Sequence, residues 1–305
     1  MRFKKLDLNL LVALDHMIEL RSVSAAAEKM FMSQSAMSNA LTRLRDYFDD
    51  PLLVQVGRRM EVTPRAEAMR PAIRDILVRI EATIDSHPEF RPAESTREFT
   101  ILLSDYSLRV LMPTVLRLLD EQDATVRLNL RPQTEMPHLL LERGEIDLLI
   151  TPEPLISGDH PSTLVYEDHY VVVAWRGGKF GDVTMDREAY ESASHVVMVP
   201  PNAAKAVETS FLAQSGVKRR IDVESFSFST LTHLITGTNR IATVHARLAH
   251  LMKDRAELVC YPVPVALPPL RQMQQWHAYR ETDPGIAWLR DVVSQAAASL
   301  PDVLT

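Results

Sequence analysis

The stretch from Ser24 to Leu44 constrains this 305-residue chain more than any other part of it. The alanines Ala25–Ala27 lie in one short helical pattern, and a second pattern begins at the Ser-Gln-Ser run that opens with Ser33. Ser33 is a suitable N-cap, because its hydroxyl can accept a hydrogen bond from a free backbone N–H of the first turn. Two short helices around a tight turn are typical of a helix-turn-helix, the motif that places a helix in the DNA major groove.

The second helical pattern has an apolar face and a polar face. Met37, Leu41, Leu44 and Phe48 recur at spacings of four, three and four, so this face should be buried. The opposite face is short, polar and mostly uncharged, which suits contact with base edges. An ordinary helical bundle remains the alternative. We predict that DNA is bound by Ser33, Gln34, Ser35, Ser38, Asn39 and Thr42, with Arg43 and Arg45 at phosphates.

A basic hairpin is predicted directly after this motif. Residues 52–56 read as a strand, residues 57–59 as a turn and residues 60–62 as a returning strand. Arg58 and Arg59 lie at its tip, where we predict contact with backbone phosphates or the minor groove. A solvated turn is the alternative interpretation of these two arginines.

A long helix is predicted to begin at Thr63-Pro64, a capping residue followed by proline at the first helical position. It should end near His87-Pro88, because proline disfavours a helical conformation in the residue before it. The helix carries an apolar stripe of more than four turns, which usually packs against a second copy of itself. Burial against the second domain is the alternative. The predicted dimerisation residues are Met69, Ile73, Ile76, Ile80 and Ile84.

From Phe99 onward, strand-like and helix-like segments alternate, which predicts a mostly parallel sheet with helical cover. The predicted strands are 99–103, 126–130, 147–150, 170–175, 195–199, 221–225, 241–244 and 258–263, and helices are predicted at 106–119, interrupted by Pro113, and at 136–143. Ligands in such sheets gather at the carboxyl ends of strands and at helix N-termini. That rule selects Ser104, Asp105, Tyr106, Ser107, Thr151, Glu153, Asn202, Phe226, Ser227, Phe228 and His245 as candidate ligand-binding residues, although a cap or core role is the alternative for each.

Residues 7–67 resemble the N-terminal domain of the LysR-type transcriptional regulators, in DLNLLVALDHMIELRSVSAAAEKMFMSQSAMSNALTRLRDYF and in TPRAEA. LDLNLL, GRRMEVTPRAEA, FTILLSD and GTNRIAT resemble the nodulation-regulator and aromatic-catabolism branch of that family. The resemblance implies an N-terminal all-α winged helix-turn-helix (1–65), a long linker or dimerisation helix (66–90) and a C-terminal α/β effector domain (91–305). That domain would be two-lobed and similar to periplasmic binding proteins, with lobe one at 97–168 and 270–305 and lobe two at 169–269.

The resemblance also implies partners and a mechanism. The chain would bind an interrupted-palindrome promoter site as a homodimer or homotetramer, and would recruit or withhold RNA polymerase. A small effector, an aromatic or organic acid, would bind between the lobes, with His169 as a further candidate contact. No cofactor is expected.

Charge and composition agree with a regulator. The net charge is −6, divided as +2 over residues 1–65 and −8 over the remainder, so a basic head precedes an acidic body. The single cysteine, Cys260, excludes a disulfide within the chain and is predicted to be a buried small hydrophobe. No apolar run approaches the eighteen residues of a membrane span, and no signal-peptide pattern is present, which predicts a cytoplasmic, nucleoid-associated protein.

Enzymatic and transport functions are disfavoured. The sequence contains no GxSxG, Walker or HExxH motif, and its histidines lack metal-ligand spacing, so we predict no catalytic and no metal site. A periplasmic solute-binding protein would need a signal sequence and would not need a helix-turn-helix. A nucleoid structural protein would not need an acidic, cleft-forming body.

Overall fold

The computed structural model describes residues 6–57, 59–84, 89–134, 136–200, 206–252 and 257–303. The chain divides into two compact units, one of Met1–Ser86 with Glu142–Gly144 and the other of His87–Leu141 with Glu145–Thr305. The first unit contains α1 (Leu8–Leu20), α2 (Val23–Lys29), α3 (Gln34–Phe48), β1 (Leu53–Val56), β2 (Arg59–Val62) and α4 (Pro64–Ile84).

Serine caps begin both helices of the helix-turn-helix. The Ser22 hydroxyl accepts a hydrogen bond from the Ala25 N–H, and the Ser33 hydroxyl accepts one from the Ala36 N–H, both at 3.2 Å. Ala26 and Ala27 are buried, because small side chains let α2 pack closely on its neighbours. The apolar face predicted for α3 is also buried at Met37, Leu41 and Leu44. The predicted helix-turn-helix and its cap at Ser33 are therefore confirmed, and the first helix is capped by Ser22 rather than by Ser24, the two serines that the sequence offered there.

The predicted hairpin is a two-stranded antiparallel ribbon in which Val56 pairs with Arg59. Gly57 has a φ of +63°, the left-handed conformation that tight hairpin turns require and glycine adopts without strain. The Thr63 hydroxyl accepts a hydrogen bond from the Ala66 N–H and donates one to the Asp50 carboxylate at 2.6 Å. Thr63 thus caps α4 as predicted and holds the hairpin against the end of α3.

The long helix α4 packs against the preceding helices of its own unit. Ile73 and Leu77 belong to the buried core that α1, α2 and α3 share. Arg74 Nε lies 2.7 Å from the carboxylate of Asp15, a buried residue of α1. Apolar contacts and an ion pair therefore join α4 to α1 within the first compact unit.

The second unit contains two sheets and their covering helices. Short 3₁₀ turns lie at Pro92–Glu94, Glu153–Leu155 and Ala278–Arg280. In chain order the elements are β3 (Glu98–Leu103), α5 (Asp105–Val110), α6 (Met112–Glu121), β4 (Arg127–Pro132), α7 (Pro137–Glu142), β5 (Leu148–Pro152), β6 (Ser162–Asp168), β7 (Tyr170–Trp175), α8 (Arg187–Ser192), β8 (Ser194–Met198), α9 (Val207–Gln214), β9 (Arg220–Ser225), α10 (Phe228–Ile235), β10 (Arg240–His245), α11 (Ala246–Met252), β11 (Leu258–Pro262), β12 (Leu270–Gln275) and α12 (Pro284–Ala298).

Each sheet has five strands and defines one lobe. Lobe one has the order β4-β3-β5-β12-β6, and lobe two has the order β11-β7-β10-β8-β9. In each sheet one strand runs against the others: β12 in lobe one and β7 in lobe two. These are the strands by which the chain enters each lobe from the other. The two-lobed α/β fold is confirmed, and the expected parallel sheet has one reversed strand in each lobe.

Two local predictions were incomplete or wrong, and one was confirmed. Strands β6 and β12 were not predicted, and the polar sequence of β12, LRQMQQ, explains why it was missed. The helix predicted from Tyr106 to Leu119 with an interruption at Pro113 is two helices, α5 and α6, which meet at Leu111. Cys260 is exposed rather than buried, because it lies on the edge strand β11, where alternate residues face outward.

Among the described residues, no helix has both the length and the apolar character needed to cross a bilayer.

Candidate DNA-binding surface and effector site

The polar face predicted for α3 is an open surface. The side chains of Gln34, Ser38, Asn39 and Arg43 are exposed. Those of Gln34, Asn39 and Arg43 make no hydrogen bond with any residue that the structure describes, so their donors and acceptors are available to a partner. Three further candidates, also exposed, already use their hydroxyls locally: Ser33 as a cap, Ser35 with Ser33 at 3.0 Å, and Thr42 with the Ser38 carbonyl at 3.1 Å.

Arg45 differs from its predicted role. Its guanidinium donates to the Pro51 and Leu53 carbonyls, each at 2.7 Å. The side chain therefore holds the start of the hairpin against α3, and its assignment as a phosphate contact is corrected to a positioning role. Arg59 is exposed at the start of β2, as a phosphate contact requires. The other predicted tip residue, Arg58, lies outside the described residues.

The head also contains a cluster of Asp15, His16 and Glu19 whose ligand atoms lie close enough together to hold a metal ion. Arg74 occupies that position instead, 2.7 Å from Asp15 and 3.6 Å from Glu19. Burial raises the pKa of Asp15, and the charges of Arg74 and Arg70 partly offset that effect. A guanidinium against these carboxylates disfavours a second cation, so the cluster is a structural tie between α1 and α4.

The predicted dimerisation residues do not share one environment. Ile73 is buried in the head core and Met69 packs against it, whereas Ile76 is 44% exposed and Ile80 is half-buried. The prediction of one apolar stripe that pairs with a second protomer is therefore corrected at Ile73, because this side chain is buried within its own chain. The side chain of Ile84 lies outside the described residues.

In lobe one, the rule that ligands gather at strand ends brings two candidates to one edge. Strands β3 and β5 are parallel, with Ile101 opposite Leu148, so Ser104 and Thr151 lie at the same level. Ser104 caps α5 through the Ser107 N–H at 3.2 Å. Ser107 is fully buried and accepts a hydrogen bond from Gln272 Nε2 of β12 at 2.8 Å.

The two lobes meet where the N-termini of α5 and α10 face each other. The Asp105 carboxylate accepts hydrogen bonds from the Ser227 hydroxyl at 2.6 Å, the Ser229 N–H at 2.9 Å and the Ser229 hydroxyl at 3.1 Å. A carboxylate is favoured at this point because the N-terminus of a helix carries partial positive charge and free N–H groups. A lobe-one side chain thus caps a lobe-two helix.

Behind that contact, aromatic candidates from both lobes form a buried cluster. The Tyr106 ring stacks on His245 with centroids 3.9 Å apart, and Phe228 lies edge-on to both rings. The Tyr106 hydroxyl donates to Asp168 at 2.5 Å. All four residues are buried, so these candidates close the junction between the lobes rather than line an open cleft.

Burial shifts the titration of the ionisable groups in this region. It lowers the pKa of His245 to about 3, so the ring is neutral near pH 7. It raises the pKa of Asp168, although the hydroxyl of Tyr106 and two backbone N–H groups oppose the shift. It also raises the pKa of Glu208, in α9, to about 7. Sequence reasoning did not single out Glu208, because a lone glutamate in a short helix without a clear apolar face offered no signal.

The remaining effector candidates are dispersed. Thr151 is fully buried, and Glu153 pairs with Arg271 of β12 at 2.7 Å. His169 is part-exposed beside Asp168, at the passage between lobes. Phe226 is 80% exposed, so it is not the predicted aromatic wall in this conformation. Asn202 lies outside the described residues.

An open cavity of about 420 Å³ adjoins the Asp105 contact. Its lining consists of Asp105, Leu108, Arg109, Pro113, Ser229 and Leu251. Sequence reasoning found Asp105 here but missed Leu108, Arg109, Pro113, Ser229 and Leu251. Leu108 and Arg109 follow the strand-end residues by one helical turn, which is the signal that could have indicated them.

Two family models together match most of the chain. The model described as "Bacterial regulatory helix-turn-helix protein, lysR family" matches residues 8–67, and "LysR substrate binding domain" matches residues 92–298. Nodulation protein D 3 of Rhizobium leguminosarum bv. phaseoli is 39% identical over 302 residues, covering 99% of this chain and all of that protein.

Solved structures agree with these matches. A probable transcriptional regulator from Pseudomonas aeruginosa is 28% identical and superposes with a TM-score of 0.66, covering 99% of both chains. Full-length CbnR in complex with its target DNA is 16% identical and has a TM-score of 0.61, covering 95% of this chain and all of that one. This second likeness concerns the fold alone.

Proposed function

This chain belongs to the LysR family of DNA-binding transcriptional regulators, and we propose that it binds an interrupted-palindrome promoter site as a dimer or tetramer. Members of the family are regulators, so the chain is a regulator and not an enzyme. Each protomer would place α3 in one half-site, with Gln34, Ser38 and Asn39 at base edges and Arg43 and Arg59 at phosphates. The bound protein, a cytoplasmic and nucleoid-associated regulator, would then recruit or withhold RNA polymerase.

The single observation that carries this proposal is the open polar face of α3. Polar side chains that have no partner among the described residues are suited to a polar ligand when the other face of their helix is buried at Met37, Leu41 and Leu44. The major groove admits such a helix. DNase footprinting of the chain's own upstream region tests the proposal. Two protected half-sites about one helical turn apart, or a multiple of that, are expected for a symmetric dimer. Protection of one isolated half-site would contradict it.

We further propose that protomers pair through the exposed part of α4, centred on Ile76 and Ile80. An exposed apolar residue on a long helix is best covered by a second copy of that helix. Replacing Ile76 with Glu should convert oligomers to smaller species in sedimentation velocity experiments, because a charge would be buried at the seam. An unchanged sedimentation coefficient would place the interface elsewhere.

For the effector, we propose a small aromatic or organic acid that binds where α5 meets α10. The adjoining cavity has the size of small-molecule sites, and Leu108, Pro113 and Leu251 offer it apolar walls. Arg109 supplies a cation that can pair with an acid, while Asp105 bridges the lobes. A ligand that binds one arrangement of the lobes more tightly than another would shift that equilibrium and thereby alter DNA binding.

The effector proposal is tested with Arg109→Gln and, as a matched control, Arg117→Gln, an exposed arginine on α6. Thermal shift measurements with a panel of aromatic carboxylic acids and phenols identify a stabilising compound for the native protein. Arg109→Gln should lose that stabilisation and the reporter response while its DNA affinity stays normal, and Arg117→Gln should keep all three. A normal response in both Arg109→Gln and Leu108→Asn would show that the effector binds at another place.

A further inference from the structure

Phe31 combines two unfavourable features at one position of the helix-turn-helix. Its side chain is 99% exposed, the highest value among the large hydrophobic residues that the structure describes as exposed. Its φ is +54°, in the left-handed region that glycine and asparagine adopt readily but aromatic residues rarely do. Neither feature helps the chain to fold, since a polar residue such as asparagine would satisfy both the backbone and the solvent.

The turn itself is held by backbone hydrogen bonds. The Phe31 N–H donates to the Glu28 carbonyl at 3.1 Å, and the Met32 N–H donates to the Ala27 carbonyl at 2.9 Å. This is the usual way in which a helix ends with a left-handed residue, and that residue is usually glycine. The conformation is therefore set by the backbone, and the phenyl ring contributes no contact that maintains it.

Phe31 lies close in the sequence to the start of α3, the helix proposed to enter the major groove. Gln34, the first residue of α3, follows three residues later, so the two Cα atoms lie at most about 10 Å apart. All five residues from 31 to 35 are exposed, so no buried residue separates Phe31 from the start of the polar face of α3 along the chain. Apolar side chains in a DNA interface contact the C5-methyl group of thymine, which projects into the major groove.

We propose that Phe31 is a specificity-determining residue that packs against a thymine methyl group at the edge of each half-site. This inference rests on the proposed placement of α3 in the major groove. A residue that is exposed and strained in the free protein becomes covered on binding, since strained positions persist where function requires them. Phe31 would thus favour thymine at one position beyond those that the polar side chains of α3 contact.

The experiment uses the full-length protein and duplexes that it selects from a random pool. Binding is measured by fluorescence anisotropy to the selected duplex and to the same duplex with every thymine of one half-site replaced in turn by uracil, which lacks only the methyl group. For the native protein, one uracil position should weaken binding several-fold. Phe31→Asn should bind the thymine duplex about tenfold more weakly, should no longer distinguish uracil from thymine at that position, and should melt no lower than the native protein.

Leu8→Asn is the control, because it removes another exposed apolar side chain of the head, outside the helix-turn-helix, and should change neither affinity nor thymine preference. If Phe31→Asn binds as tightly as the native protein, or binds weakly but still distinguishes uracil from thymine, the methyl contact is refuted. If the weaker binding of Phe31→Asn disappears at high protein concentration, the ring contributes to association between copies of the chain. The proposal is then also refuted. If no duplex is selected at all, the failure lies with the proposed DNA recognition and not with Phe31.

Discussion

The exposed face of α3 and the junction between the two lobes contain similar residue types in opposite states. On α3, Gln34 and Asn39 are exposed and have no partner among the described residues. At the junction, Asp105 binds Ser227 and Ser229, and Tyr106 binds Asp168. The candidate DNA-binding surface therefore has free donors and acceptors, whereas the carboxylates of the junction, Asp105 and Asp168, are already bonded within the chain. A ligand at the junction must replace those contacts or bind beside them.

Because of this difference, substitutions at the two places should affect different properties, namely DNA affinity for α3 and protein stability for the junction. An exposed polar side chain that has no partner among the described residues can be removed with little change in the stability of the folded state. No intramolecular hydrogen bond is lost when it is removed. A buried side chain that satisfies a charge cannot be removed in the same way, because its partner is left without a hydrogen bond at a cost of about 1–3 kcal/mol. Substitutions on α3 should change affinity alone, and substitutions at the junction should change stability first.

The largest expected effect is on α3. Replacing both Gln34 and Ser38 with Ala should weaken binding to the selected DNA by about 1–3 kcal/mol for each residue, with no change in melting temperature. Gln214→Ala, which removes an exposed glutamine at the end of α9, is the control. Anisotropy titrations and differential scanning calorimetry measure the two quantities. A lower melting temperature with unchanged affinity would reverse the assignment of this surface.

The buried carboxyl of Glu208 should make the stability of the second unit depend on pH. Its pKa rises from 4.5 to about 7 on folding because burial disfavours the charged form. The folded state therefore binds the proton more tightly, so its stability is greatest below pH 4.5 and declines as pH rises towards 7. The decline should amount to roughly 3 kcal/mol in the native protein. Urea unfolding at a series of pH values should show it.

Glu208→Gln tests the origin of this slope. The amide does not titrate, so the contribution should vanish between pH 5 and 7, and the variant should be the more stable protein at pH 8. An identical slope in native and variant proteins would assign the pH dependence to another group. DNA affinity should stay unchanged, since α9 lies outside the head.

A smaller effect is expected at Tyr106. Tyr106→Phe keeps the ring against His245 but removes the hydroxyl that binds Asp168 at 2.5 Å. The second unit should lose about 1–3 kcal/mol of stability and melt several degrees lower. The control is Tyr47→Phe, because the Tyr47 hydroxyl makes no hydrogen bond with a described residue. Equal melting temperatures for the two variants would mean that Tyr106 is not a structural support of the junction.

The smallest effect is expected at the hairpin. Arg59→Ala should weaken binding to specific and random duplexes alike, and should reduce the slope of log K against log salt by about one for each protomer. Arg117→Ala, which removes an exposed arginine of the second unit, should leave the slope unchanged. A loss confined to the selected sequence would mean that Arg59 contacts a base rather than a phosphate.

Local patterns were enough to predict the helix-turn-helix. The cap at Ser33, the buried row from Met37 to Leu44 and the glycine at the hairpin turn are all short-range signals, and each has one structural solution. Short-range signals failed where long-range pairing decides. Strand β12 lies between β5 and β6 despite its polar sequence. Its glutamines can be buried there because they bond to a loop and to helices that are far away in the sequence.

The sequence alone determined the alternation of strands and helices in the body and the polar surface of α3, because helical and strand periodicity dictate which side chains face outward within one element. Its motifs resembled the LysR-type regulators, and that resemblance implied the two lobes. Only the tertiary structure decided which candidates remain available. In the structure, Arg45 bonds to the start of the hairpin, Ile73 is buried in the core of the first unit, and Tyr106 stacks on His245. These outcomes depend on which elements pack together, and side chains with equal chemistry acquire different roles according to whether water or protein satisfies them.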